Sequence, residues 1–352
     1  RRVRRPAGEH HRPPLRVSGR ALVTGATGLV GSHLVEALRA SGREVVALVR
    51  NADAAAWLRA PGVRVVAASL DDAHAMRRAA DGCDAILHTA AVITPPDGRY
   101  TATNVDGTRA IVELARETRA RLVQLSSVAV YGPEGRYALS QPDDRWQETR
   151  PFAPLPPNAA YAISKRASET IVLDAHRAGE CWATAIRPCV IFGRRDRQFT
   201  PRVHALLRLG AFPFIGGGST RLPLVHASTV ASLALRALAD DRAGGEAYNA
   251  IDRDAPTMRD VVHAARAGLG RSLFTVPIPV SIVRGALATV QALSFLLPRD
   301  ARGAVRVASL DLVLKDSPFS GARARTELGW EHAVDARAAL TDAFAWRAAA
   351  RR

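Results

Sequence analysis

Lysine is nearly missing. Of the 49 Lys and Arg residues only Lys165 and Lys315 are lysine, so arginine carries almost all the positive charge of a chain with formal net charge +16. A bias of that extent reads as genome composition rather than as a nucleic-acid surface. The basic residues are scattered among acids, and aromatics, at 5% of the chain, form no stacking platform between them. Nucleic acid is therefore excluded as a partner. The same scarcity singles out Lys165 as a place where a guanidinium would not serve. Cysteine is scarce as well. Cys83, Cys181 and Cys189 form no CxxC pair and no metal-ligand spacing. That excludes a disulfide framework and a structural metal site, and it points to thiols kept reduced in a cytoplasmic compartment.

Long apolar runs are also few. Residues 276–297 are nearly long enough to span a bilayer, but Pro277, Pro279, Arg284 and Gln291 interrupt them. They read as a buried helix, with peripheral membrane contact as the alternative. Residues 1–18 hold arginines, histidines and prolines with little to bury, and read as a disordered basic lead. Their paired arginines precede no apolar stretch, so they are not read as an export signal. The chain does not begin with Met, which reads as a trimmed or mis-started sequence.

What the chain does hold is organised around residues 19–50. Ala21-Leu22-Val23 is a short apolar run, TGATGLVG follows from Thr24 to Gly31, and Leu29, Val30, Leu34, Val35 and Leu38 recur at helical spacing. Glu44 to Val49 is a second apolar strand. A strand, a glycine loop, a helix and a strand in that order predict a turn whose backbone approaches a pyrophosphate at a helix N-terminus. Gly25, Thr27, Gly28, Leu29 and Gly31 are therefore candidate cofactor contacts. After the second strand stands Arg50, where many dinucleotide folds place an acid on the ribose hydroxyls. A basic residue there suits a 2′-phosphate, so the reading leans to NADP over NAD.

Further strands are expected at 63–67, 84–88 and 122–127, with helices at 73–80 and 103–119. Small residues Thr89, Ala90 and Ala91 directly after a central strand leave room for a cofactor across its carboxyl end. His88 reads as a packed wall residue without a chemical role. Residues 133–158, rich in proline and polar groups, are too long for a simple connection and read as a lid or substrate loop. Then Tyr161 and Lys165 stand four apart at the head of a helix reaching Arg177, on one face and one turn apart. A tyrosine alone titrates near ~10, and an ammonium beside it is expected to lower that value toward acid–base use. Past Phe192 the pattern thins to helices near 199–209, 257–268 and 334–348, a glycine turn at 216–218 and a strand at 247–250.

Together TGATGLVG, LDD (Leu70 to Asp72), HTAA, NVDGT, SSVAVYG, YAISK and RPCVIFG resemble, in order and spacing, the extended short-chain dehydrogenase/reductases. These form the superfamily of NAD(P)-dependent epimerases and dehydratases, and the resemblance runs to the ELGW at 327–330. It implies an α/β fold, a doubly wound parallel (Rossmann) sheet, over 19–192, completed by a strand near 246–250. A smaller, discontinuous C-terminal substrate-binding region would comprise 193–245 and 251–348. It implies Tyr161 as general acid/base, Lys165 on the nicotinamide ribose and lowering the tyrosine pKa, and Ser127 on the reacting oxygen. Leu70 and Asp71 would reach the adenine, Arg187-Pro188 would set a loop beside the nicotinamide, and Asn104 would be a support. The stretch LVHASTVA (224–231) carries Ser228 and Thr229 where the family has acids, which weakens a helix N-terminal charge contact.

The family's dehydratases carry an Asp-Glu pair just after the active-site serine or threonine. Val128 and Ala129 stand there instead, which speaks against dehydration. Arg50, the RLPLVH run and the apolar 276–297 segment look more like the hydroxysteroid dehydrogenase and dihydroflavonol reductase branch. The resulting expectation is a reductase or dehydrogenase with NADP or NAD acting on a small-molecule carbonyl or alcohol. A nucleotide-sugar epimerase is the first alternative and a cofactor-sensing regulator the second. A homodimer is compatible with the resemblance.

Overall fold

The computed structural model describes residues 19–93, 100–132, 147–207, 211–270, 274–283, 285, 316–332 and 334–349. The expectations for the lead at 1–18, for the first part of the lid loop (133–146) and for 286–297 lie outside them.

Strand residues of one parity face one helical layer and those of the other parity face the second. In β1 (Arg20–Thr24) and β2 (Glu44–Val49), Ala21, Val23, Val45, Ala47 and Val49 join one buried cluster, while Leu22, Val46 and Leu48 join another. Such strands are apolar on both faces, which is why they read as unbroken apolar runs and not as alternation. β3 (Val63–Ala67), β4 (Ala85–His88), β5 (Arg121–Leu125), β6 (Ala183–Pro188) and β10 (Ala247–Ala250) complete the sheet, with the short β7 (Val190–Phe192), β8 (Ala211–Ile215) and β9 (Leu224–His226) lying outside it. Its order is β10-β6-β5-β4-β1-β2-β3, and every pairing is parallel. The chain reverses direction across the sheet between β1 and β4, the point where doubly wound folds bind ligands.

One face is covered by α1 (Leu29–Ala40) and α6 (Ala227–Leu238). The other carries α2 (Ala73–Ala80), α3 (Gly107–Thr118) and α4 (Ala160–Arg177). The helix expected at 103–119 begins earlier, because residues Thr101–Asp106 run on into α3 as a wider π-helical turn. A third buried cluster lies past the sheet. Phe192, Leu207, Leu222 and Leu224 meet Val261 and Val262 of α7 (Met258–Leu269) and Leu340 and Phe344 of α9 (Ala336–Ala349). α5 (Phe199–Leu207) supplies Leu207 to it, while α8 (Ala322–Leu328) packs Ala324 and Leu328 into the first cluster.

One expectation is corrected here. The front of the 276–297 segment is not a buried helix: its first residues belong to β11 (Phe274–Ile278), which pairs parallel with β8, and helical backbone begins only at Val280, with Val276 and Ile282 exposed. Pro277 and Pro279 remove amide donors and fix an extended backbone, which a helix interior does not accept. Among the described residues no helix is long and apolar enough to cross a membrane.

Candidate active site

The carboxyl ends of six neighbouring strands gather nearly all the residues the sequence singles out. In sheet order they are Pro188 at the end of β6, Ser127 after β5, Thr89 to Ala91 after β4, Gly25 after β1, Arg50 after β2 and Asp71 after β3.

At β1 the loop is built by exclusion of side chains. Gly25 has φ +66°, and a Cβ on it would stand 2.8 Å from the Ala90 amide nitrogen. A Cβ on Gly31 would collide with the Gly25 carbonyl and would lie 2.9 Å from Thr89 Oγ1. The loop therefore closes on the β4 end with no room to spare. Gly28 caps α1 with its backbone, and among the described residues no side chain caps this helix and no acid stands in its first turn. Amide donors, a positive helix end and a glycine cradle suit a pyrophosphate. Thr27 and Leu29 are half-buried on this loop.

The β4 end is tied to β1 by hydroxyl groups. Thr89 Oγ1 donates to Thr24 O (2.7 Å), and Ala90 N donates to Thr24 Oγ1 (3.3 Å). His88 lies between Thr24 Oγ1 (2.7 Å from Nδ1) and Thr108 Oγ1 (3.4 Å from Nε2). Thr108 gives its proton to Asn104 O at 2.6 Å, so it accepts from Nε2–H, and Thr24 donates to Nδ1. Burial, with the Lys165 charge adding to it, pushes the His88 pKa down to about 3 and keeps the ring neutral. Asn104 donates from Nδ2 to Val92 O (3.0 Å) and Ser164 Oγ (3.0 Å) and accepts from Val92 N (2.8 Å). Its π-helical turn aims this side chain between the β4 loop and α4, in keeping with a supporting part.

On α4, Lys165 is buried and its Nζ donates to Leu125 O at 2.5 Å. Burial draws its pKa down to about 8, with the Glu169 charge opposing. Tyr161 is half-buried, with its ring 6.4 Å from that of Tyr100. Its pKa is raised, by burial first, with the Ser127 side chain acting the other way and Tyr100 adding to the rise. The expected lowering by Lys165 is thus corrected: burial dominates the phenol, and the ammonium is engaged by the β5 carbonyl. Ser127 Oγ accepts from Ala129 N (3.1 Å), which fixes the turn after β5.

Arg187 immediately precedes Pro188, the last residue of β6. It is buried on β6, where it forks onto Glu169 (Nη2–Oε1 2.6 Å) and donates to Tyr131 Oη at 2.8 Å; Pro188 is buried and pairs with Ala250 of β10. Arg50 and Asp71 are exposed, and Leu70 packs beside Gly107. The Asp71 pKa is lowered by hydrogen bonds from Ser69 and its own backbone. Sequence reasoning missed Glu169, Tyr131, Glu148 and Asn249. The available signal was an arginine inside an otherwise apolar strand, which requires a buried partner. Among the described residues no cluster of three His, Cys, Asp or Glu could hold a metal ion.

The chain is similar to known proteins over most of its length. A model of the NAD dependent epimerase/dehydratase family matches residues 21–250. The chain is 29% identical over 314 residues to the 4-hydroxy-2-methyl-3-oxo-4-farnesyl-3,4-dihydroquinoline-1-oxide ketoreductase of Stigmatella aurantiaca, spanning 88% of this chain and 91% of that protein. It is 29% identical over 343 residues to a 3 beta-hydroxysteroid dehydrogenase/Delta 5-->4-isomerase of Mycobacterium tuberculosis, spanning 92% and 89%. Among solved structures, the dTDP-glucose 4,6-dehydratase of Streptomyces venezuelae with NAD bound superposes with a TM-score of 0.67 at 25% identity, covering 94% of this chain and 98% of that one.

Proposed function

Since the chain belongs to the NAD dependent epimerase/dehydratase family and is a nicotinamide-dependent oxidoreductase of the extended short-chain type, we propose that Ser127, Tyr161 and Lys165 carry its reaction on a small-molecule carbonyl or secondary alcohol. Gly25, Thr27, Gly28, Leu29 and Gly31 hold the cofactor pyrophosphate, Thr89 to Ala91 and Pro188 border the nicotinamide half, and Leu70 and Asp71 border the adenine. The cofactor, when bound, supplies the two-electron hydride chemistry. Tyr161 gives its proton to the carbonyl oxygen in reduction and takes it back in oxidation, and Ser127 hydrogen-bonds the same oxygen. Lys165 places a positive charge one helical turn from the phenol and binds the ribose. The observation that carries the assignment is that Ser127, held in the turn after β5 by Ala129 N at 3.1 Å, lies beside Lys165, whose Nζ reaches Leu125 O of the same strand end at 2.5 Å on the helix that bears Tyr161.

Two features favour a ketone reductase or alcohol dehydrogenase. The relatives at 29% identity are named for a keto group and a steroid hydroxyl. Val128 and Ala129 offer no acid for expelling water, in contrast to what a dehydratase needs. Arg50, exposed at the β2 end, supports NADP as the preferred cofactor through its charge. Residues 193–245 and 251–348 serve mainly as the substrate side, around the third buried cluster. An epimerase acting on nucleotide sugars with retained NAD is the second reading, favoured by the likeness to a sugar-nucleotide enzyme in overall structure.

Titration with NADP⁺ and NAD⁺, followed by tryptophan fluorescence, tests both. Tighter NADP⁺ binding that Arg50→Ala weakens is the expected result, and co-purifying NAD indifferent to Arg50 would support the epimerase. Tyr161→Phe should bind cofactor like wild type and lose turnover; retained turnover would remove the site assignment.

A further inference from the structure

Beside the proposed reaction centre lies a buried charge pair that none of these roles uses. Glu169, four residues after Lys165 on α4, is 1% exposed, and Arg187 on β6 is 3% exposed. Arg187 Nε and Nη2 donate to Oε2 and Oε1 of Glu169 at 3.0 and 2.6 Å, a bidentate fork. Ser126 Oγ donates to the same Oε2 at 2.5 Å, and Ser126 N is held by Ile186 O at 2.7 Å. A pair this deep is a weak source of net stability, because desolvation offsets most of the attraction. Its position is more telling, since it meets the strand end next to Ser127 and the helical face that bears Lys165.

We propose that Glu169 is a positioning residue for the reaction, acting through Ser126 on the turn that presents Ser127 and through its charge on Lys165. The inference rests on the assignment of Ser127, Tyr161 and Lys165 given above. Clamped by Arg187, the carboxylate has one orientation, and that orientation fixes the Ser126 rotamer. The residue after Ser126 then enters the turn at a defined angle. The same carboxylate raises the Lys165 pKa against the pull of burial, so it holds the ammonium charged at neutral pH.

The shortage of lysine makes this directly measurable. Lys165 and Lys315 are the two lysines of the chain, so ε-¹³C-lysine labelling gives two NMR signals that Lys315→Arg assigns. The Lys165 signal of the wild type should titrate near a pH of about 8. In Glu169→Gln its midpoint moves to lower pH, and Glu169→Asp restores it. If Glu169→Gln fails to fold because Arg187 is left uncompensated, the double variant Glu169→Gln/Arg187→Gln removes both charges and still moves the midpoint down. Ser126→Ala leaves the Lys165 midpoint in place and lowers kcat roughly fivefold without changing KM, the loss of about one hydrogen bond's worth of organisation. An unmoved Lys165 midpoint in a folded Glu169 variant, or an unchanged kcat in Ser126→Ala, overturns the proposal. The titration is read without substrate or cofactor. Its failure beside an inactive Tyr161→Phe therefore overturns this inference alone, whereas an active Tyr161→Phe overturns the site itself.

Discussion

Lys165 and His88 are both buried against the same strand ends, and burial moves both toward their neutral forms. For Lys165 the value falls to about 8, so its charge is present at neutral pH and lost as the pH rises through that region. Tyr161, with its pKa raised, stays protonated over the same range. Reduction, which needs a phenol proton and a nearby positive charge, should therefore run level through neutrality and fall above a pH of about 8. Lys165→Met should give a low rate without that alkaline limb; a wild-type profile level to well beyond this pH would contradict the assignment. His88 affects stability instead. Its native pKa, about 3, lies below the ordinary 6.5, so in the window between them the unfolded chain binds the proton and the native one does not. Its contribution is thus complete above the ordinary value and declines as the pH drops toward the native one. Denaturant titrations should show a loss of about 1–3 kcal/mol attributable to this ring between neutral and mildly acid pH. His88→Gln, which cannot take up the proton, should flatten that slope.

Among the elements, the β1–α1 turn is the one whose function and shape are hardest to separate. Gly31 packs where a Cβ would strike the Gly25 carbonyl, so Gly31→Ala forces the helix start away from the loop. Overpacking of this kind costs about 1–3 kcal/mol. The shift falls on the amides proposed to hold the pyrophosphate, so NADP⁺ or NAD⁺ affinity should drop by roughly tenfold or more. Calorimetry with each cofactor would check it, and wild-type affinity would place the pyrophosphate elsewhere. This turn was legible in the sequence because its constraints are local: glycine spacing, a short apolar strand before it and helical periodicity after it. Two other elements were less so. The π-helical turn at Thr101–Asp106 depends on Asn104 reaching both Val92 and Ser164, contacts distant in sequence. The exposed β11 was misread because an apolar composition says nothing about which side of a strand is covered.

At the scale of the whole molecule the missing information is what closes the far side of the sheet. Composition and motif order pointed to the doubly wound topology, and β10 fell where expected. The polar network that joins it to the centre was not legible, since its members come from five separate segments. Tyr131 Oη accepts from Arg187 and donates to Asn249 Oδ1 at 2.9 Å, and Asn249 N donates to Glu148 Oε1 at 2.9 Å. Gln147 bonds Pro318 O and Ser320 N at 2.7 and 2.8 Å. The network thus fastens residues 147–149 and 316–320 to β6 and β10, behind the site and away from the glycine loop. Burial pushes the Glu148 pKa up, and bonds from Asn249 and its own backbone oppose the shift. Tyr131→Phe keeps the ring, which lies 6.0 Å from Phe152 and Phe319, and removes the bridging hydroxyl. It leaves Asn249 and Arg187 each short of a partner, at a cost of about 2 kcal/mol. The unfolding midpoint in denaturant should fall by that cost divided by the slope, with the slope itself unchanged. Cofactor affinity should remain at the wild-type level because β1 and β4 are untouched, the reverse of Gly31→Ala. A Tyr131→Phe protein that kept its midpoint and lost cofactor binding would show that the two sides of the sheet are coupled, and that the network is part of the cofactor site.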